Sequence, residues 1–114
     1  MESTTKPDCI FCQIASHKAP AQVVFENESC IAFRDIHPEA ATHVLVIPKV
    51  HRETFSDFSD QEASALLKLM QTVIAVIHAL KLERNCKIAI NNGREAGQIV
   101  PHTHIHILST EKSK

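Results

Sequence analysis

The sequence has few aromatic residues, little glycine and no excess of positive charge. Its 114 residues include five Phe but no Tyr or Trp, and the net charge is −1 with the histidines neutral. Proteins that bind nucleic acid use a positive field or aromatic side chains on which bases stack. The composition therefore argues against a nucleic-acid partner.

A signal peptide and a long uninterrupted apolar run are also missing. Residues 1–8, MESTTKPD, contain no apolar segment, and the most apolar stretch, ASALLKLMQTVIAVIHAL, is interrupted by Lys68, Gln71 and His78. A secretory signal needs an apolar segment near its start, and a membrane span needs about 20 mostly apolar residues. We therefore expect a cytoplasmic protein with no membrane partner.

The four cysteines are better interpreted as thiols or metal ligands than as a disulfide framework, because we expect the chain to be intracellular. Cys9 and Cys12 are separated by two residues, which is the spacing of half a zinc site. A redox pair or two packed thiols would have the same spacing, although the βαβ pattern of thioredoxin-like proteins is absent. The spacing alone leaves these alternatives open.

Two helices are predicted. The segment CIFCQIAS has helical apolar spacing after Asp8, which is suited to cap a short helix. Ser59 and Glu62 have the spacing of a capping box at the start of a long helix. The apolar positions of that helix recur at three- and four-residue steps and are Ala63, Leu66, Leu67, Met70, Val73, Ile74, Ile77 and Leu80.

Five segments have the composition of short strands: QVVFE, CIAFRD, THVLVIPK, CKIAINN and HTHIHIL. Strands and helices do not alternate, so we predict an α+β fold with a five-stranded antiparallel sheet, one long helix and one short helix. The single domain is predicted over residues 9–108. It is preceded by a flexible segment, 1–8, and followed by a tail, 109–114.

Three histidines occupy alternate positions in PHTHIHIL, and both glycines of the chain, Gly93 and Gly97, lie in the loop before it. In a strand His102, His104 and His106 would share one face, which a helix covers partly or not at all, while Thr103, Ile105 and Ile107 face the core. Neighbouring histidines would be roughly 6.6–6.8 Å apart along the strand, so the three cannot easily share one metal ion.

A catalytic row explains this pattern better than three imidazoles on a hydrated sheet face. Imidazole is a nucleophile, acid and base near neutral pH. A glycine-bearing loop presents backbone N–H groups to phosphate oxygens. The combination indicates attack on phosphorus in an anionic substrate.

The motifs resemble those of the histidine triad (HIT) superfamily, in its nucleoside phosphoramidase branch. HTHIHIL is similar to the family signature, and AINNGREAGQIVPHTHIHIL, FENESCIAFRDIHPEAATHVLVIPKVH and CIFCQI are similar to other family segments in the same order. The resemblance implies a purine nucleotide-binding hydrolase that forms a nucleotidyl-histidine intermediate at the α-phosphate. It further implies an adenosine 5′-phosphoramidase type of activity on AMP conjugates and a two-fold homodimer with one continuous sheet.

The resemblance also implies residue roles. His104 is the nucleophile, and His106 contacts the phosphate and handles protons. Asp35 binds the ribose and Ile36 packs on the base. The positions implied for the phosphate are Asn91, Gly97, Gln98 and Ile99. Ile99 stands where phosphoramidases carry serine, which leaves the leaving group open.

For members that begin with Cys-x-x-Cys, the resemblance implies a structural Zn²⁺ held by Cys9, Cys12, His51 and His102. Two other functions stay open at this point. One is a dinucleoside polyphosphate hydrolase, and the other is a nucleotide-binding scaffold with residual activity.

Overall fold

The computed structural model describes residues 5–113; residues 1–4 and 114, which fall in the predicted flexible segment and tail, lie outside this range. The helices are α1 (Ile10–Ala15) and α2 (Ala63–Ala79). The strands are β1 (Val23–Glu26), β2 (Cys30–Arg34), β3 (Thr42–Pro48), β4 (Lys87–Ala89) and β5 (Ile105–Ser109). All pairings are antiparallel, in the order β1-β2-β3-β5-β4, so the predicted α+β fold is confirmed.

Strands β2 and β3 are buried on both faces because a helix packs on each side of the sheet. On one face, Val44, Val46, Ile105 and Ile107 form a core that includes residues of α2. On the other face, the core residues are Cys9, Phe11, Cys12, Ile14, Ala15, Ile31, Phe33, Leu45 and Ile47. The short helix α1 therefore covers the sheet face opposite α2.

The predicted start of β5 was wrong. The strand begins at Ile105, so His102 and His104 precede it in extended chain, and only His106 lies within it, opposite Leu45. His102 and His104 are buried, at 0% and 6% exposure, because α1 packs over them. The histidine face is thus more enclosed than an uncovered sheet face.

The cap predicted for α1 was also wrong. Cys9, rather than Asp8, is the N-cap, and its thiol accepts a hydrogen bond from the Cys12 N–H. The residues just before α1 also contact it. The Cys9 N–H donates to the Lys6 carbonyl, and the Lys6 N–H donates to the Cys12 sulfur.

The capping box of Ser59 and Glu62 is confirmed, although it caps a short 3-10 turn, Asp60–Glu62, that leads into α2. The predicted apolar stripe of α2 is only partly buried. Of the predicted positions, Val73 and Leu80 are buried, and the helix also buries Leu69, Thr72 and Val76, which the predicted stripe does not include. Leu67, Met70 and Ile74 are exposed, because the apolar positions of α2 extend around more than the face that meets the sheet.

By length and composition alone, the segment Asp60–Ala79 would qualify as a membrane span, with a mean hydropathy of 1.2. The same criteria are met by core helices of soluble proteins, and in this fold Leu69, Val73 and Val76 pack on the sheet. The hydropathy therefore reflects two apolar faces of one helix.

Candidate active site and metal cluster

Cys9, Cys12, His51 and His102 come together beside α1, and their ligand atoms all lie within 4.8 Å of one another. One helical turn separates the two cysteines. His102 Nδ1 is 3.4 Å from the Cys9 sulfur and 3.6 Å from the Cys12 sulfur, and His51 Nδ1 is 3.3 Å from the Cys12 sulfur. This set could bind a metal ion.

The protonation of this cluster fits a metal. His102 Nε2 is 2.8 Å from the Pro48 carbonyl, which can only accept, so Nε2 carries the proton and the Nδ1 lone pair faces the thiols. Burial lowers the pKa of His102 to about 4, which keeps the ring neutral as a ligand must be. A metal-bound histidine usually donates its other N–H to such a carbonyl. Two thiols and two imidazoles are a donor set that suits Zn²⁺.

His104 is held as a neutral base with one free nitrogen. Its Nδ1 is 2.7 Å from the His102 carbonyl, so Nδ1 carries the proton and Nε2 keeps a lone pair. Burial lowers the pKa of His104, which disfavours the protonated ring. These are the requirements for a nitrogen nucleophile near neutral pH.

His43, which the sequence places at the start of the third strand as a possible support of the site from behind, contacts two of the predicted site residues. Its Nδ1 accepts from the Glu39 N–H, so its Nε2 carries the proton. That Nε2 is 2.9 Å from His106 Nδ1 and 3.5 Å from an Asp35 carboxylate oxygen. His106 therefore accepts at Nδ1 and presents Nε2–H as a donor. The register, with His43 opposite Leu108 and Leu45 opposite His106, was the missing information.

Asp35, His43 and His106 also lie within 4.8 Å of one another, as a second group with metal-ligating side chains. The backbone N–H at His43 Nδ1 argues against metal binding, because a metal on Nε2 would then leave the ring without a proton. Burial, followed by the nearby His104 and His43, lowers the pKa of His106. These three residues are better described as a hydrogen-bonded chain.

Asp35 follows directly after β2. One of its carboxylate oxygens accepts from the His37 N–H at 2.8 Å, and the other points towards His43. Ile36 beside it is 85% exposed. An acid next to an exposed apolar side chain is suited to a ribose and a base, and these two roles stay predictions.

The loop before the triad is braced by two of the side chains predicted to bind phosphate. Asn91 donates to the Ala96 carbonyl at 2.8 Å. Gln98 accepts from the Gly93 N–H and donates to the carbonyls of Glu53 and Val100. These amides shape the loop, so the phosphate-binding role of their side chains stays a prediction.

Gly97, which ends the short 3-10 turn of this loop, adopts a left-handed conformation with φ of 97° and ψ of 12°. Ile99, two residues after Gly97, is 91% exposed. Within residues 5–113 its backbone N–H has no hydrogen-bond partner, so it is available to an anion.

Comparisons with known proteins show the family to which the chain is similar. A family model described as HIT domain matches residues 16–113. Protein HitA of Neisseria gonorrhoeae is 41% identical over 103 residues, which cover 90% of this chain and 96% of that protein. The crystal structure of a HIT family hydrolase from Legionella pneumophila Philadelphia 1 has a TM-score of 0.86 and 38% identity, and the match covers 92% of this chain and 95% of that one.

Adenylylsulfatase HINT3 of Arabidopsis thaliana is 31% identical over 106 residues. The match covers 93% of this chain but 54% of that protein.

Proposed function

The chain belongs to the HIT domain family, and we propose that it is a purine nucleotide hydrolase that cleaves AMP conjugates at the α-phosphate, most simply an adenosine 5′-phosphoramidase. The observation that carries the proposal is the protonation of His104. Its Nδ1–H is committed to the His102 carbonyl, and its Nε2 is left as a free nucleophile. The names of the Legionella hydrolase and of HINT3 support hydrolysis and an adenylyl substrate.

In the first half-reaction His104 Nε2 attacks the α-phosphorus, and the bond from phosphorus to the leaving group breaks as the new P–N bond forms. Asp35 accepts hydrogen bonds from the ribose hydroxyls, and the free Ile99 N–H and the His106 Nε2–H donate to phosphate oxygens. The chain from the Glu39 N–H through His43 keeps His106 in that donor form. Water then attacks phosphorus and gives up one proton to solvent, the P–N bond to His104 breaks, AMP leaves, and His104 Nε2 regains its lone pair.

Ile99 favours a second candidate, the hydrolysis of mixed anhydrides such as adenylyl sulfate. An amine must gain a proton to leave phosphorus, whereas sulfate leaves as a stable anion. An aliphatic side chain has no proton to give. The similarity to adenylylsulfatase HINT3 supports this candidate.

Turnover of adenosine 5′-phosphoramidate, adenylyl sulfate and a dinucleoside polyphosphate, measured side by side, tests the function. His104→Ala should lower kcat for the preferred conjugate by a factor of about 10³ or more, while AMP still binds. His78→Ala, on the exposed surface of α2, is the matched control. Mass spectrometry of quenched reactions should find the nucleotidyl adduct on His104. Binding of AMP without turnover of any conjugate would instead favour a nucleotide-binding scaffold.

The cluster of Cys9, Cys12, His51 and His102 is proposed to hold a structural Zn²⁺ that stabilises α1 against the triad. Elemental analysis of protein purified without added metal should give about one zinc per chain. Protein without metal, with Cys9→Ala equal to wild type in stability, would contradict this assignment.

The exposed apolar side chains of α2 and of the segment around β4 support a homodimer. Leu67, Met70 and Ile74 lie on α2, and Ile88 and Ile90 lie in or just after β4, an edge strand with an open row of backbone groups. A second copy paired at this edge would continue the sheet. The four cysteines are free thiols, which is compatible with the proposed cytoplasmic location.

A further inference from the structure

The short helix α1 contacts both the metal cluster and the nucleophile. Cys9 and Cys12 belong to the metal cluster, and Phe11 lies between them in sequence. The Phe11 ring is 6% exposed. It packs edge-on against His104, with ring centroids 5.2 Å apart and planes at 90°, and against His102 at 5.9 Å.

His104 needs a second restraint besides its hydrogen bond. Within residues 5–113, the His104 ring makes one hydrogen bond, from Nδ1 to the His102 carbonyl. One such bond does not prevent the ring from turning about its Cβ–Cγ bond, which would carry Nδ1 away from the carbonyl, leave the proton free to occupy either nitrogen and move Nε2 from its position. A perpendicular aromatic ring in contact with the imidazole opposes that rotation by steric contact.

We propose that Phe11 is a positioning residue for His104, and that Cys9 and Cys12, by anchoring α1 at the metal cluster, hold Phe11 in place. The metal cluster thereby acts on catalysis without touching the substrate. His102 reinforces the link, since its ring faces the thiols while its carbonyl holds His104. The inference rests on the proposed function of His104 as the nucleophile.

The first test compares Phe11→Leu with Phe33→Leu. Both rings belong to the same buried cluster and pack on each other at 5.4 Å, but of these two phenylalanines only Phe11 has a described ring contact with a triad imidazole. With the best AMP conjugate, Phe11→Leu should lower kcat about 10- to 100-fold and keep KM within about threefold, because a displaced nucleophile affects the chemical step. Phe33→Leu should change kcat less than about threefold.

Equal losses of kcat in the two variants would overturn the proposal, since general destabilisation would then explain both. If Phe11→Leu does not fold, Phe11→Met, which keeps a long apolar side chain without a ring, takes its place in the same comparison.

The second test does not depend on activity. Nitrogen NMR of labelled histidine distinguishes Nδ1–H from Nε2–H rings in protein without nucleotide. Wild type and Phe33→Leu should show His104 as a single Nδ1–H form, and Phe11→Leu should show a mixture. A single form in all three would overturn the proposal, and a wild type that turns over no conjugate would overturn the proposed function instead.

The anchoring step is tested by Cys12→Ala, which keeps Phe11 but removes one ligand of the cluster. His104 should then show the same mixture of forms as Phe11→Leu. Unchanged His104 signals in Cys12→Ala would overturn the role of the cysteines.

Discussion

At the scale of single residues, the chemistry of this site is determined by three backbone groups. The Pro48 carbonyl fixes the proton of His102, the His102 carbonyl fixes that of His104, and the Glu39 N–H fixes that of His43. Because a carbonyl only accepts and an amide N–H only donates, each imidazole is left with one assigned proton. With His106, which the His43 N–H contacts, these make four imidazoles whose protonation suits the proposed roles of a metal ligand, a nucleophile and a donor pair.

The proposed function makes the leaving-group preference depend on the side chain at position 99. We expect Ile99→Ser to raise the ratio of kcat/KM for adenosine 5′-phosphoramidate over that for adenylyl sulfate by about tenfold, the effect of one added hydrogen bond in the transition state. The side chain is 91% exposed, so the fold should not change. Ile99→Ala, which removes the same side chain without adding a hydroxyl, is the control. An equal ratio in both variants would mean that the hydroxyl plays no part.

Not all of the site could be predicted from the sequence. The cysteine spacing and the family resemblance placed Cys9, Cys12, His51 and His102 together, and the structure brings them within 4.8 Å. The proton positions could not be predicted, because His102 and its acceptor Pro48 are 54 residues apart in the chain. The role of His43 required the register of β3 with β5.

At the scale of elements, local signals worked where a local interaction decides the structure. The capping box of Ser59 and Glu62 forms because both groups belong to one turn. The start of β5 was predicted wrongly because the alternation of His102, His104 and His106 begins before the sheet pairing does. The Thr103 N–H donates to the Arg52 carbonyl, which lies outside the sheet. The buried face of α2 was predicted wrongly because the helix has apolar residues on two faces. Only the packing of the helix on the sheet decides which face is buried.

The two glycines of the loop before the triad should differ in what they tolerate. Gly93 has φ of 98° and ψ of 155°, a region that is almost exclusive to glycine, whereas Gly97 at 97° and 12° is near the left-handed region. An added Cβ has space at both positions. We expect Gly93→Ala to cost about 2 kcal/mol in free energy of unfolding and Gly97→Ala about 1 kcal/mol, in urea denaturation. The reverse order would mean that local packing, rather than backbone conformation, determines these positions.

At the scale of the whole molecule, burial of neutral histidines links stability to pH. Burial lowers the pKa of His51, His104 and His106, and that of His102 to about 4. Between pH 6.5 and 4 the unfolded chain therefore binds more protons than the folded one, and stability falls as the pH is lowered through this range.

In the presence of a chelator, we expect His102 to lower the free energy of unfolding by on the order of 1 kcal/mol per pH unit between pH 6.5 and 4.5, and His51, His104 and His106 to add to this loss just below pH 6.5. Urea denaturation at several pH values measures this slope. Without the chelator the loss should be steeper, because protons then also compete with the metal for its ligands. A flat profile would show that these rings can be protonated within the folded state.

Within residues 5–113, Leu67, Met70 and Ile74 form an exposed apolar face of α2, and Ile88 and Ile90 are exposed in or just after the edge strand β4. A two-fold axis at the open edge of β4 would cover these side chains and pair the two edge strands, which removes an aggregation-prone edge in one step. We therefore expect light scattering to give twice the chain mass of 12.7 kDa.

Ile74, at 56% exposure, is the position to test, because a glutamate there would place two like charges in the dimer contact. Ile74→Glu should give a monomer at micromolar concentration, whereas Lys68→Glu should stay a dimer, because Lys68 lies about 120° around α2 from Ile74, in a groove with Asn27 and Glu28. The apolar face could instead meet a lipid surface, since Asp60–Ala79 has the composition of a membrane span. A monomeric wild type that sediments with lipid vesicles, and loses this binding on Ile74→Glu, would replace the dimer with a membrane contact.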